Sequence, residues 1–379
     1  MADVTIVGAG PVGTLLAREL AGRGVEVELL ERRPVGGDGS RAIGIHAPVL
    51  AALETSGVTD RLLADAVRVR SGEARAGGRL LGTVEFGRLS TRFPFVATLP
   101  QSATEAVLAA GGPEPQRGAN VMAVLPRPDA VLVRVGILGR PVELETRLVV
   151  VAAGAGGRDL VYRPDALDRR EYPDRYLMTD AATGPRTDDD VAVVHLDRDG
   201  VLESFPLPGG ARRFVAWDAP GSDDDPAARA LRLRDALARR GEQGAAEAVQ
   251  EATAFGVRRV VAPRLRNGRI FTIGDAAHEV SPIGGQGMNL GLLDAVTLAP
   301  LLATWVNSGT APEAGLRRWE ARRVRSARRA ATLAAMNTAL GRPVGAAEAA
   351  RRFGVRAMLA PPTARLLARA YAMGFDADA

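Results

Sequence analysis

The sequence predicts an α/β protein in which a βαβ unit is interrupted by a mixed or antiparallel sheet and followed by a helical tail. Three observations predict it. Residues 3–7 (DVTIV) and 25–30 (VEVELL) are strand-length apolar runs on either side of a helical stretch at 14–22, with Gly24 suited to its end. Residues 191–196, 201–206 and 213–218 read as antiparallel strands separated by turn residues. A further buried run, IFTI at 270–273, comes late and leads through glycines into a nearly all-apolar segment, 290–307, which reads as a central helix. A strand-and-helix pattern that returns after an intervening sheet implies a discontinuous first domain rather than two domains in series.

The other elements follow in order. Residues 34–40 form a loop, and a helix is expected from about 48 to 63. Short strands are expected within 66–98 and a helix at 102–110. Residues 131–137 and 143–152 read as paired strands, the second apolar enough to be buried on both faces. A helix is expected at 226–240, and helices beyond Pro312.

Composition narrows the function. The chain of 379 residues is longer than one compact core usually holds. It has no cysteine, which excludes disulfides, cysteine-ligated metal and thiol catalysis. His46, His195 and His278 are too scattered for a zinc site. All 49 basic residues are arginine, so Schiff-base and lysine-dependent phosphate-loop chemistry are excluded too. A net charge of +5 with 4% aromatics, and no interleaving of the two, argues against nucleic acid. No signal-peptide pattern precedes the strand at Asp3. The apolar run from Leu290 to Val306 contains Asp294 and Pro300, against stable membrane insertion. A cytoplasmic monomer or homodimer is expected.

Two motifs carry chemistry. Gly8-Ala9-Gly10-Pro11-Val12-Gly13 fits GxGxxG between a strand and a helix. Its first glycine permits a tight turn, its second lets a pyrophosphate approach the backbone, and its third lets helix and strand pack closely. The helix N-terminus supplies free N–H groups for phosphate. Glu31 ends the second strand, 23 residues after Gly8, where it can accept from a ribose. The second motif, GDAAHEVSPIGGQGMN at 274–289, sets an acid after a buried strand and then opens the apolar helix with a glycine loop. Backbone N–H groups there suit a group that becomes negative, and glycines keep Cβ atoms off a flat ring.

With GAGPVG and ERR at 31–33, SRAIGIH at 40–46, LPQ at 99–101 and GDAAHxxxPxGGQGMN at 274–289, the chain over about 1–340 resembles the FAD-dependent aromatic hydroxylases. These are group A flavoprotein monooxygenases related to p-hydroxybenzoate hydroxylase and ubiquinone-biosynthesis hydroxylases. The resemblance implies a Rossmann-type, glutathione-reductase-like FAD domain from 1–65, 99–165 and 264–310. A substrate-binding sheet domain would comprise 66–98 and 166–263, and C-terminal helices 311–379. It implies that Gly8, Gly10, Pro11, Val12 and Gly13 cradle the pyrophosphate and that Glu31, Arg32 and Arg33 serve the adenosine ribose. Arg41 would lie beside the phosphates, Gln101 at the ribityl side and Val121 by the adenine. Gly154, Gly274 and Asp275 would complete the ribityl and phosphate end. Pro282, Gly284, Gly285, Gln286, Gly287, Met288 and Asn289 would line the isoalloxazine. One departure stands out. The family's Asp-Gly pair after the strand ending near 152, and its following Ser, are replaced by Ala153 and Gly157, in a segment that holds contacts to flavin and NAD(P)H. Arg158 or Asp159 is the available substitute. No WxWxIP motif is present, which disfavours flavin halogenases.

The implied activity is hydroxylation of an electron-rich aromatic substrate (phenolic, quinone-precursor or polyketide-type), through a flavin C4a-hydroperoxide formed with NAD(P)H and O2. Two other readings stay open: a flavin-dependent epoxidase or C–C dehydrogenase/reductase of an apolar metabolite, and a non-catalytic FAD-binding protein. Pro282, and His46 as a base, are the catalytic candidates. Phe93, Phe95, Phe205, Leu207, Pro208 and Trp217, with Arg92, are the substrate-side candidates, each equally suited to core packing. His195 reads as a sheet residue and His278 as a shaper of the flavin loop. The arginine run at 317–329 reads as a solvated helix face with Leu316 and Trp319 turned inward.

Overall fold

The computed structural model describes residues 2–36, 42–184, 186–361 and 363–376. Strand β1 (Val4–Val7) is buried along its whole length, as a central parallel strand must be. It passes through the glycine turn into α1 (Pro11–Ala21), which begins with proline at its first position, where no N–H is needed. Next comes β2 (Val27–Glu31). Two further parallel strands complete the centre of a six-stranded sheet. Leu148–Val151 pairs with β1 in the register Val4↔Leu148, and Ile270–Thr272 pairs beyond it. The run expected as one strand over 143–152 is therefore two. Arg140–Thr146 belongs to a separate antiparallel sheet with 131–137, and the chain changes sheets at Arg147. The helix expected over 48–63 is also two, Ala47–Ala52 and Val58–Asp65, broken where Gly57 turns with a φ of +66°.

The second large sheet has eight strands. Taken in chain order, those that matter below are β3 (Ser71–Ala76), β4 (Asp168–Ala182), β5 (Val191–Asp197), β6 (Gly200–Leu207), β7 (Ala211–Asp218) and β8 (Thr253–Val261). In space the run is β8-β4-β7-β6-β5-β3. The expected strands at 191–218 are present. Sequence reasoning missed β4 and β8. Polar residues dominate the first part of β4, and a register shift between Glu171 and Arg175 breaks its alternation against β8.

The apolar helix α2 (Gly287–Ser308) lies in the core between these sheets and α3 (Glu313–Leu340). It is long and apolar enough to cross a membrane, but 72% of its most apolar window is buried inside the protein. Its close approach to the glycine turn depends on Gly291, where a Cβ would stand 2.5 Å from a Val12 methyl and 3.0 Å from the Gly274 Cα. Asp294, fully buried on α2, is neutralised by His278 at 2.6 Å and Arg323 at 2.8 Å. Burial penalises charge on both His278 and Asp294. Their mutual attraction outweighs it, holding the histidine above and the aspartate below their ordinary ranges. The arginine run is accordingly not all solvated: Leu316 and Trp319 point inward as expected, and so does Arg323. The tail ends in α4 (Glu348–Met358) and α5 (Thr363–Tyr371).

Candidate active site

One continuous cavity of about 950 Å³ runs from the glycine turn, past the 274–289 loop, to the face of the eight-stranded sheet. At its first end the motif glycines divide the work. Gly8 has a φ of +105° and its missing Cβ would meet the Ala152 carbonyl and Ala153 Cα. At Gly13 a Cβ would overlap the carbonyl oxygen of Gly8. Gly10 is different: nothing lies within 4 Å of its Cβ direction, so the space is left for a ligand at the helix N-terminus. Glu31, at the end of β2, accepts from the backbone N–H of Ala9 and of Arg33 (2.9 Å each) and from the Arg33 guanidinium. Burial pushes its carboxyl up, but these donors outweigh burial and hold it below the ordinary carboxylate range. Arg32, Val121, Asn120 and Met122 line the same end.

Further along, Gln101 accepts from the Ala42 N–H at 3.3 Å and donates to Glu105 at 2.8 Å. Asp275 also lines the cavity. The 274–289 loop is held from beneath. Asn289, fully buried, donates to the Gly44 and Gly285 carbonyls at 2.8 and 3.1 Å and accepts from the His46 N–H at 2.9 Å. Gln286 donates to the Ala370 carbonyl of α5 at 3.0 Å. Pro282, Gly284, Gly285, Gly287 and Met288 face the cavity, whereas Gln286 and Asn289 do not; these two fasten the loop instead of lining it. Gly284 has a φ of +100° and faces Asn337 of α3, so its glycine also serves the approach of that helix.

The far wall is the sheet. Register aligns Ala74, Val194, Glu203, Val215 and Met178 in one row across β3, β5, β6, β7 and β4. All five line the cavity, as do Val201 and Phe205 on either side of Glu203 along β6. Helices α3, α4 and α5 cover the row with Leu340, Val355, Met358, Leu367 and Tyr371. Charged groups interrupt this apolar surface, among them Glu73, Arg258, Arg213 and Glu203. Arg213 makes a bidentate pair with Asp180 at 2.6 and 2.7 Å. Glu203 is 6% exposed and has no hydrogen-bond partner among the described residues; burial pushes its carboxyl up to about 8.

Several expected site residues lie elsewhere. Phe93 and Phe95 pack edge-to-face at 6.1 Å, with Phe95 in the core, and Arg92 is paired with Glu54. Leu207 is buried past the end of the wall, and Pro208 opens the turn that follows it. Trp217 covers Gly200 and reaches Asp174. Phe205 alone of the six lines the cavity. His46 also lines it, but burial drives its pKa down to about 4, so it is a neutral imidazole and a weak base. His195 is a buried sheet residue, likewise lowered to about 4 by burial. Ala153 lines the cavity, and a Cβ on Gly157 would fall 2.6 Å from the Ala153 Cβ, so this pair packs as a unit without the family's acid and serine. Arg158 turns inward to the Asp275 carbonyl and Glu279, while Asp159 faces the cavity. Arg41 lies outside the described residues. Sequence reasoning missed Glu203, Val194, Val215, Met178 and the tail residues of the wall. Alternation along β6, with Val201, Glu203 and Phe205 on one face, was the available signal.

The comparisons with known proteins agree with this geometry. Residues 1–334 match the family model described as an FAD binding domain. The chain is 33% identical over 343 residues to 12-dehydrotetracycline 5-monooxygenase/anhydrotetracycline 6-monooxygenase of Streptomyces rimosus, covering 85% of this chain and 66% of that one. It is 31% identical over 336 residues to rifampicin monooxygenase of Rhodococcus hoagii, covering 85% and 68%. The chain thus spans about two thirds of the length of these curated relatives. Among solved structures, p-nitrophenol 4-monooxygenase from Pseudomonas putida superposes with a TM-score of 0.88 over 100% of this chain and 98% of that one; at 22% identity it speaks for the fold. Anhydrotetracycline hydroxylase from Streptomyces rimosus gives a TM-score of 0.78 at 29% identity, over 98% and 75%. The open space at Gly10, the acid at the end of β2 and the family match all fit one cofactor: the chain belongs to the FAD-binding family of aromatic monooxygenases.

Proposed function

We propose that the protein hydroxylates an electron-rich aromatic of the phenolic or polyketide kind, using FAD, NAD(P)H and O2. The observation that supports this most is the continuity of the cavity from the Gly10 opening to a largely apolar sheet wall, which leaves room for an arene beside the 274–289 loop. Bound FAD supplies the oxygen chemistry: two electrons from NAD(P)H go to O2, one oxygen atom enters the ring and the other leaves as water. The protein's part is to bind, orient and exclude water. Gly8, Gly10 and the N-terminus of α1 receive the pyrophosphate, and Glu31 with Arg32 and Arg33 holds the adenosine ribose. Gln101 and Asp275 take the ribityl chain. The loop from Pro282 to Met288 faces the flavin ring, with backbone N–H groups at the start of α2 favouring its reduced, negative form. The FAD-binding part would be 1–65, 99–165 and 264–310, and the substrate part 66–98 and 166–263. The size of the cavity and the size of the substrates named for the tetracycline and rifampicin relatives favour a polycyclic aromatic.

The test is anaerobic reduction of the FAD-loaded protein by NADPH or NADH, with and without a panel of mono- and polycyclic phenols. Acceleration of flavin bleaching by one phenol, and oxygen-18 from O2 in its product, is the expected result. No bleaching with either nicotinamide would point to Ala153 and Gly157 and favour a different reductant or the epoxidase or reductase alternatives. Peroxide as the sole product with every phenol would defeat the hydroxylase reading.

A further inference from the structure

We infer that Glu203 is the polar anchor of the substrate wall: it binds the hydroxyl group of a neutral hydroxyarene and takes up its proton as the ring is attacked. This rests on the hydroxylase reading above and adds a residue and a substrate preference to it.

Glu203 sits mid-row in the wall, between Val194 and Val215 across the sheet and between Val201 and Phe205 along its strand, all facing the cavity. A buried carboxyl with no hydrogen bond among the described residues is rare and costly unless something completes it. Among the described residues, the arginines of this wall already have partners, and Arg258 pairs with Glu171 at 3.3 Å. Arg213, on the neighbouring strand, is held by Asp180 through both arms of its guanidinium. Glu73 on β3 is paired with Arg75. From β4, Tyr176 feels the Glu203 charge, and from α5 so does Tyr371, whose hydroxyl donates to Asn337 at 2.8 Å. Helix α4 presents apolar side chains there, and α3 presents Leu340 and Asn337, whose amide oxygen is taken by Tyr371. The remaining partner is a ligand that can both donate and accept, and a hydroxyl on an apolar ring does both.

The chemistry follows from the position of the carboxyl on the proton scale. Burial raises it to about 8, against about 10 for an ordinary phenol. Below about pH 8 Glu203 carries its own proton and donates it in a hydrogen bond to the hydroxyl oxygen; the transfer that follows belongs to the ionised form, whose share grows toward pH 8 and above. As the new C–O bond forms, the electron pair of the breaking O–H bond moves into the ring, and the proton goes to a Glu203 oxygen. The bond that breaks as C–O forms is the O–O bond of the oxygen that bound FAD would supply; the ring proton of the resulting dienone goes to the oxygen atom left behind, which would leave as water, and the ketone regains its hydroxyl proton from Glu203, so the carboxylate is restored. In its ionised form, above about pH 8, the carboxylate disfavours arenes that carry an acid group, because two negative charges would share a largely apolar site.

The experiment uses FAD-loaded wild type, Glu203→Gln and Glu203→Leu, with FAD content and flavin spectrum verifying the fold of each. The probes are 1-naphthol, its methyl ether and 1-hydroxy-2-naphthoic acid. Binding is read from perturbation of the flavin spectrum between pH 6 and 9. Wild type is expected to prefer the naphthol over the ether by about tenfold or more. Glu203→Leu should lose that preference without weakening the ether. Glu203→Gln should retain part of it while losing its pH dependence. Single-turnover hydroxylation should fall about 100-fold or more in both variants. An unchanged preference and pH profile in the variants, tighter binding of the naphthoic acid than of the naphthol at pH 9, or no naphthol binding by wild type would each overturn the assignment. Glu203-dependent binding that yields only peroxide would leave the anchor in place and defeat the hydroxylase reading instead.

Discussion

The two ends of the cavity are built from different material. The dinucleotide end is backbone: what matters at Gly8, Gly10 and Gly13 is where a side chain is absent, and the residues are neighbours in sequence. The sheet end is side chain: Ala74, Val194, Glu203, Val215 and Met178 arrive on five strands and meet only through register. At the first end Gly8 and Gly13 are fixed by packing and Gly10 by the open space beside it, so each of the three tolerates little change. The second offers positions that point into open space, where one residue can alter what is bound while the sheet beneath stays the same.

The largest expected effect breaks the first end in two different ways. Gly13→Ala puts a Cβ onto the Gly8 carbonyl and should cost ~3 kcal/mol or more, seen as loss of soluble folded protein. Gly10→Ala meets nothing in the protein and should leave the melting temperature of the FAD-free chain unchanged while FAD affinity drops about tenfold or more. Equal damage to both FAD-free variants would erase the distinction between a packing glycine and a ligand glycine.

A smaller effect sharpens the second end. Glu203 keeps its proton up to about pH 8 in the folded protein, whereas an ordinary glutamate releases it near 4.5. Between those values the native state holds one proton more than the unfolded chain, so this residue's contribution to stability falls as pH rises, by about 1.4 kcal/mol per unit at most. Glu203→Gln has no such proton. Its melting temperature relative to wild type should therefore climb from pH 5 to pH 8. His46 and His195, both held neutral, act on the acid side and are common to the two proteins. A constant difference across the range would mean that the carboxyl is already ionised. The smallest effect is expected outside both ends. Arg92→Ala removes an exposed pair with Glu54, and melting temperature and substrate KM should both stay at the wild-type value.

The unequal legibility of the two ends has the same origin. GAGPVG and GDAAHEVSPIGGQGMN were readable because a turn followed by a helix N-terminus is a local arrangement, and local arrangements are written contiguously. Even there, Asn289 and Gln286 were assigned to the lining, and they instead fasten the loop to Gly44 and to α5. On the sheet wall Phe205, which lines the cavity, was named in advance, but Glu203, two residues back on the same face, was not. A glutamate in a strand reads as solvent-facing until one knows that helices α3, α4 and α5 close over that face. Phe93, Phe95 and Trp217 look like binding residues in sequence, and the fold uses them for packing.

By itself, the sequence determined the class of fold, the βαβ cradle, the FAD cofactor and the buried helix that follows the second motif. Each rests on hydrophobic period, glycine placement or capping over a dozen or so adjacent residues. Tertiary structure alone decided which face of β6 looks into the cavity, that the C-terminal helices form its outer wall, and that His46 is neutral while Glu203 holds its proton. Those properties depend on register and on what lies across the cavity, and burial is set by residues hundreds of positions away in the chain.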